Sequence, residues 1–293
     1  MTERILDISS QPAALRVKHE QLVVHTDDIE QSIPLAEIAA LIVSHPAVTY
    51  TQGVVSGLMN AGAAFIACDA RHMPSGMMLP VEGHHLQAER VGKQIAASLP
   101  LRKRVWQQIV REKIRSQGRL LKRIHGNDKG LAALADRVQS GDPKNVEAQA
   151  ARRYWPALFG GAEFRRNREA PGRNAALNYG YTVLRATVGR AIAGAGLHPS
   201  IGVHHHNRYD AFCLADDLME PYRVLVDGAV AADERFDGPL APTGKRVLVV
   251  ALMGPHPAGE EMRSLFDCVA ATAVSLVKVF EGARKGLAFP ALE

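Results

Sequence analysis

The chain has 293 residues, 47% hydrophobic and 22% charged, with a formal charge of +5; it is long enough to bury one large core or two ordinary ones and too apolar for extensive disorder. Cys68, Cys213 and Cys268 stand far apart with no CxxC pair, so neither a thiolate zinc site nor a disulfide framework is expected, and a reducing cytoplasm fits best. Met1-Thr2-Glu3-Arg4 lacks the layout of a secretory signal, and the longest clean apolar run, 247–253, is too short to span a bilayer, so no membrane partner is expected.

In chain order, β-prone runs at 4–8, 15–18, 21–26, 40–43 and 64–68 predict a β-rich start, interrupted by a short helix at about 51–61. Turn formers around Met73-Pro74-Ser75-Gly76 and Gly83-His84 then precede a change of texture. We therefore expect an α+β chain: a small β-rich N-terminal domain over 1–82 and a larger all-helical domain over 83–293. Apolar ladders predict helices at about 85–97, 101–123, 129–139, 143–158, 173–195, 214–230 and 260–283, with 233–244 as a surface loop.

A pI of about 9.2 is by itself a weak hint of polyanion binding. Placement says more, because residues 101–123 carry nine basic residues (Arg102, Lys103, Arg104, Arg111, Lys113, Arg115, Arg119, Lys122, Arg123) against the single acidic Glu112. Such a segment is either a phosphate-binding surface for DNA or a solvated helix face.

Three places carry candidate chemistry. Asp142 reads as an N-cap with Pro143 at the first helical position, which puts Glu147 in the second turn, beyond the reach of the helix dipole and on the stripe shared with Tyr154 and Leu158. A carboxylate there needs a partner, either an ion or the nearby Arg152 or Arg153. On the helix over 214–230, Asp217 and Glu220 share a flank about 60° apart, so that both are able to approach one cation, while Asp216 points away and reads as solvated. Before that helix stands His204-His205-His206, in which an extended backbone turns His205 opposite to its two neighbours. No HExxH-type spacing supports zinc, and one imidazole with two carboxylates suits Mg2+ or Mn2+.

Four stretches, in this order, are Asn145-Val146-Glu147 with Ala151-Arg152-Arg153-Tyr154-Trp155, then Asn174-Ala175-Ala176-Leu177-Asn178-Tyr179-Gly180-Tyr181, then Gly202-Val203-His204-His205, then Leu214-Ala215-Asp216-Asp217-Leu218-Met219-Glu220-Pro221-Tyr222-Arg223. Together they resemble the CRISPR-associated spacer-acquisition integrases, the Cas-one family, over nearly the whole chain. The Asp-Leu-Met-Glu ending and the adjacent histidines are similar to the branch accompanying Cas-nine systems. The resemblance implies that Glu147, His205 and Glu220 are metal ligands and that Asp217 is a further acidic position of the motif. It also implies a homodimer that assembles with the small partner Cas-two on a DNA fragment and a CRISPR repeat, with Cas-nine and other adaptation proteins as further partners. The expected chemistry is attack by the fragment's 3'-hydroxyl on a repeat phosphodiester. Alternatives are a metal-dependent nuclease that uses water, and a non-catalytic DNA-binding scaffold whose acidic and histidine residues only stabilise helix ends.

Overall fold

The computed structural model describes every residue except 1–3, 71–73, 82, 162–163, 168, 259–260 and 291–293. Met73 of the expected turn, Glu82 at the expected domain boundary and Glu260 at the start of the last predicted helix therefore lie outside the described residues.

The first part contains β1 (Arg4–Ile8), β2 (Ala14–Lys18), β3 (Gln21–His25), β4 (Glu30–Pro34), β5 (Ile38–Val43), β6 (Thr49–Tyr50), α1 (Gln52–Asn60), β7 (Ala64–Cys68) and β8 (Pro74–Met78). They form two four-stranded sheets, in orders β1-β5-β7-β8 and β4-β3-β2-β6. The five expected strands and the short helix are present; β4, β6 and β8 escaped notice because they are polar or exposed. In β4 only Ile33 is buried, and the strand is defined by its backbone pairing with β3 rather than by a hydrophobic face.

In the first sheet, alternation sends successive side chains to different cores. Leu41 and Phe65 join Leu15, Leu22, Ile33, Val54 and Leu58 in a small core between the two sheets and α1. Their neighbours Ala40, Ile42, Ala64 and Ile66 join the large core of the helices. The central strands are thus covered on both faces, which is why they read as unbroken apolar runs.

The second part contains α2 (Gln87–Ala96), α3 (Leu99–His125), α4 (Leu131–Asp136), α5 (Val146–Leu158), α6 (Arg173–Gly194), α7 (Cys213–Met219), α8 (Arg223–Ala231), α9 (Pro242–Met253), a hairpin of β9 (His256–Ala258) and β10 (Glu261–Arg263), and α10 (Leu265–Phe280). The α+β class stands, but β9 and β10 mean that the second part is not all helical. Helix α6 is buried around most of its circumference, packing against α7, α8, α9, α10 and the first sheet. A Cβ on Gly180 would lie 2.4 Å from Val226 Cγ1, so the approach of α6 to α8 requires glycine there. The Tyr179 hydroxyl of α6 donates to Asp7 Oδ2 of β1 at 3.1 Å, and Arg190 Nε donates to Gly62 O at 2.6 Å, tying helices to strands.

Three expectations are corrected. The helix over 214–230 is interrupted by a 3-10 turn over Glu220–Tyr222 between α7 and α8, at Pro221, which has no backbone N–H to give. Helix α5 starts at Val146, with Asn145 as its cap and Pro143 outside; the Asp142 carboxylate instead accepts from Val146 N at 2.9 Å and Glu147 N at 3.0 Å. The expected loop at 233–244 holds a 3-10 turn at Glu234–Asp237, and Pro242 opens α9, a helix hidden in the sequence because it lies between α6, α8 and β1 and lacks a clean polar face.

Candidate active site

Asp217 is fully buried, and its carboxylate is spent on the histidine loop. It accepts from the backbone N–H of Val203 (2.7 Å), His204 (3.0 Å) and His205 (3.2 Å), and it bonds His205 Nδ1 at 2.6 Å. The bend that presents three amides to one carboxylate passes through Gly202, where a Cβ would meet His205 O at 2.4 Å. The opposite side of the loop rests on buried Trp106 of α3, whose ring stacks on His204 with centroids 4.0 Å apart and meets His205 edge-on. The three histidines are thus distinguished: His204 is packed, His206 reaches back to His204 O, and His205 is clamped through Nδ1, leaving Nε2 as the nitrogen for a ligand. The bond to Asp217 holds the His205 imidazole above its ordinary pKa, whereas burial pushes His204 below it.

Glu147 of α5 and Glu220, at the end of α7, come together across α3. The Lys113 ammonium lies 2.6 Å from Glu147 Oε1 and 2.7 Å from Glu220 Oε2. The Lys113, Glu147 and Glu220 side chains are only 15%, 27% and 7% exposed. The other Glu220 oxygen, Oε1, receives Arg223 Nε at 2.9 Å. Burial pushes the Glu220 carboxyl up, but the charges of Arg223 and Lys113 outweigh it and hold the group at about 2. Burial likewise opposes the charge on Lys113, and the two glutamates override it, raising the ammonium above its usual range.

Glu147 therefore sits in the first helical turn, not the second, and its partner is neither Arg152 nor Arg153, both exposed, but Lys113. Asp217 and Glu220 share a flank and diverge at their tips, one toward the loop and one toward Lys113. Asp216 is not solvated: it pairs with Arg185 at 2.6 Å, and Arg185 also holds Asp210 at 2.7 Å. Among the described residues, no three His, Cys, Asp or Glu side chains are already gathered as a metal shell. His205 and Glu220 nevertheless line one cavity, whose wall also carries Arg166, Asn178, Arg185 and Arg223. Arg166 and Arg185 were missed in the sequence, and Asn178 and Arg223 stood there only as members of the motifs, with no role given. Arg166 is oriented by Asn174 Oδ1 (2.9 Å) and Asn178 Oδ1 (2.5 Å), which accounts for the two asparagines of the second motif.

Below the cavity, Tyr154 donates to Asp227 Oδ2 at 2.6 Å and Tyr181 donates to Asp227 Oδ1. Burial raises Asp227 to about 6 despite both phenols. Arg223 lies over the Tyr181 ring, 4.5 Å from its centroid, so this buried group supports the guanidinium that holds Glu220.

The basic stretch does not form one phosphate-facing surface. Lys113 is committed to the two glutamates; Arg102 donates to Ile95 O, Arg111 to Val138 O, Arg115 pairs with Asp136 and Arg119 with Glu112. Lys103, Arg104, Arg115, Lys122 and Arg123 are exposed, and of these Arg104, Arg115 and Lys122 lie on the side of α3 away from Trp106, Ile109 and Val110.

No helix of the described residues is long and apolar enough to cross a membrane. Residues 6–232 match the family described as "CRISPR associated protein Cas1". The chain is 38% identical over 244 residues, covering 81% of it and 79% of the relative, to a CRISPR-associated endonuclease Cas1 from Neisseria meningitidis. It is 30% identical over 243 residues, 76% of this chain and 80% of the other, to a CRISPR-associated endonuclease Cas1 from Pyrobaculum aerophilum. In fold it is similar to a CAS1 protein from Thermotoga maritima (TM-score 0.78, 18% identity, 99% of this chain and 100% of that one). It is also similar to a casposase bound to integration product (TM-score 0.77, 20% identity, 97% and 92%), and to a chain of a Cas6-RT-Cas1–Cas2 complex of which it covers 37% (TM-score 0.77, 18% identity, all of this chain). The chain belongs to the Cas1 family of CRISPR-associated proteins.

Proposed function

We propose that this protein is a divalent-metal-dependent DNA integrase that joins the 3' end of a short DNA fragment to a CRISPR repeat. The observation that carries the reading is the meeting of Glu147 and Glu220 on a single positive charge, beside a histidine fixed by Asp217. The two carboxylates already share one cation, so the donor set fits Mg2+ or Mn2+ held by Glu147, Glu220 and His205 Nε2. When bound, such an ion polarises the scissile phosphate and screens charge in the transition state. The Asp217 carboxylate bonds the histidine loop, so it acts by positioning His205. Arg166, Arg185 and Arg223 on the cavity wall attract the phosphate backbone and orient it. In the step itself the fragment's 3'-oxygen forms a bond to the repeat phosphorus as the repeat's own P–O3' bond breaks. The attacking hydroxyl loses its proton and the departing oxygen gains one, with no nucleotide hydrolysed.

The naming of relatives as endonucleases, and the likeness to a casposase bound to integration product, support this class of reaction. The Cas1–Cas2 complex supports working with Cas2; the homodimer and pairing with a Cas-nine system are finer readings drawn from the sequence resemblance. The test is joining of a labelled duplex to a repeat-bearing plasmid, with Cas2, in Mg2+ or Mn2+. Joined product is expected, and it should be lost in EDTA and in Glu220→Gln. Cut fragments without joined strands would point to hydrolysis instead, and undiminished joining by Glu220→Gln in EDTA would remove the metal mechanism.

A further inference from the structure

Lys113 is an expected phosphate contact that the fold turns inward. Its position on α3 follows Trp106, Ile109 and Val110 at spacings of seven, four and three, so it belongs to the helix's buried stripe. A lysine on such a stripe is stable only if its ammonium finds compensating charge. Here it finds two carboxylates, on α5 and beyond α7, at 2.6 and 2.7 Å, and the nearest like charge, Arg223, is on the far side of Glu220. The same ammonium thus lies within hydrogen-bond distance of both carboxylates.

We propose that Lys113 is a built-in counter-ion that occupies the space between Glu147 and Glu220 before a divalent ion is loaded, and that it must withdraw for the ion to enter. It thereby sets the metal affinity of the site and keeps the two carboxylates from repelling one another while no ion is bound. The inference rests on the reading of these glutamates as metal ligands. An ammonium suits the part: a compact charge on a flexible four-carbon stem, able to leave without moving the helix that carries it, unlike a planar guanidinium such as that of Arg223. Lys113 and Arg223 together balance the two carboxylates, so a divalent ion entering beside both would leave an excess of two positive charges, and withdrawal of Lys113 cuts that excess to one; loading is therefore electrostatically tied to Lys113 leaving. Glu147, the more exposed of the two acids, marks the side open to solvent.

The experiment is a Mn2+ titration of the full chain followed by the loss of the free-ion EPR signal, with thermal unfolding measured with and without Mn2+. Lys113→Met removes the charge and keeps the length of the side chain. It should bind Mn2+ at least about tenfold more tightly than the wild type, since a like charge at contact distance has been removed. Its metal-free melting temperature should fall, and Mn2+ should raise it by more than it raises that of the wild type. Lys113→Arg, which retains the charge, should bind no more tightly than wild type. Should Lys113→Met fail to fold, Lys113→Gln, neutral but still a donor, takes its place with the same expectation. Unchanged or weaker Mn2+ binding by the neutral variant, with binding still abolished by Glu220→Gln, overturns the inference and leaves the metal site standing. Wild-type binding that is indifferent to both Glu147→Gln and Glu220→Gln overturns the metal site itself, and this inference with it.

Discussion

Asp217→Asn tests the claim that one buried carboxylate shapes the histidine loop. The native group takes four donors: three backbone amides at 2.7, 3.0 and 3.2 Å and His205 Nδ1 at 2.6 Å. Asparagine keeps the shape but offers a single acceptor oxygen and turns its own N–H2 toward the remaining donors. Hydrogen bonds to a charged group each contribute about 1.5–3 kcal/mol, and losing at least two of them in a fully buried place should cost about 3–5 kcal/mol. The effect should appear in urea or thermal unfolding, and more locally as faster hydrogen exchange at the amides of Val203, His204 and His205. Asp216→Asn is the internal control. That side chain is 22% exposed and shares Arg185 with Asp210, so its loss should be much the smaller. Unfolding of Asp217→Asn within about 0.5 kcal/mol of the wild type, with those three amides still protected, would refute the reasoning, because that is the range of an ordinary surface change.

Gly202→Ala should destabilise by about 2–4 kcal/mol in the same unfolding assay, since the new methyl meets His205 O at 2.4 Å and also crowds Asp217 Oδ2, and a backbone carbonyl cannot step aside as a flexible side chain does. The pH dependence of Asp227 has the opposite sign to that of most acids. Its folded pKa is about 6, above the roughly 3.9 of an unfolded aspartate, so between pH 4 and 6 the folded state holds a proton that the unfolded state has lost. Stability from this group therefore falls as pH rises through that window, by at most about 2–3 kcal/mol, and is unaffected below it. Asp227→Asn does not titrate, so its stability deficit against the wild type should shrink between pH 4 and pH 7; a deficit equal at both pH values would show that Asp227 is ionised throughout.

What was legible in the sequence, and what was not, follows from how each residue is held. Strand runs such as 40–43 and 64–68 were readable because burial on both faces leaves an unbroken apolar signature. The same burial hid α9, whose apolar run 247–253 lacks the polar face that would mark a helix. Glu147 drew notice as a carboxylate near a buried stripe, yet its turn was misplaced because Asp142 caps two amides of α5 from outside the helix, and Asn145, at φ 48°, is the residue that opens it. Asp217 and Glu220 were placed on one flank by spacing alone, but the sequence could not say that their tips part, since that depends on a loop and on α3 arriving from elsewhere.

Lys113 is the instructive failure. Its helical period was in plain view, three and four residues beyond Val110 and Ile109, but a count of nine positive charges made the segment look like one surface and drew attention away from phase. Phase decides the matter, because a charge on the buried stripe of a helix has to be compensated by the fold, whereas a charge on the outer face has only to be solvated. By that criterion Lys113 and Arg104, nine residues apart, belong to different problems: the first to the assembly of α3, α5 and the α7 end around two carboxylates, the second to whatever approaches from solvent. The site is accordingly made of residues that also hold three helices together. A substitution there has to be read for stability before it is read for activity, and Glu220→Gln, which leaves Lys113 and Arg223 facing a neutral amide, should be judged on joining only after its fold has been checked by unfolding.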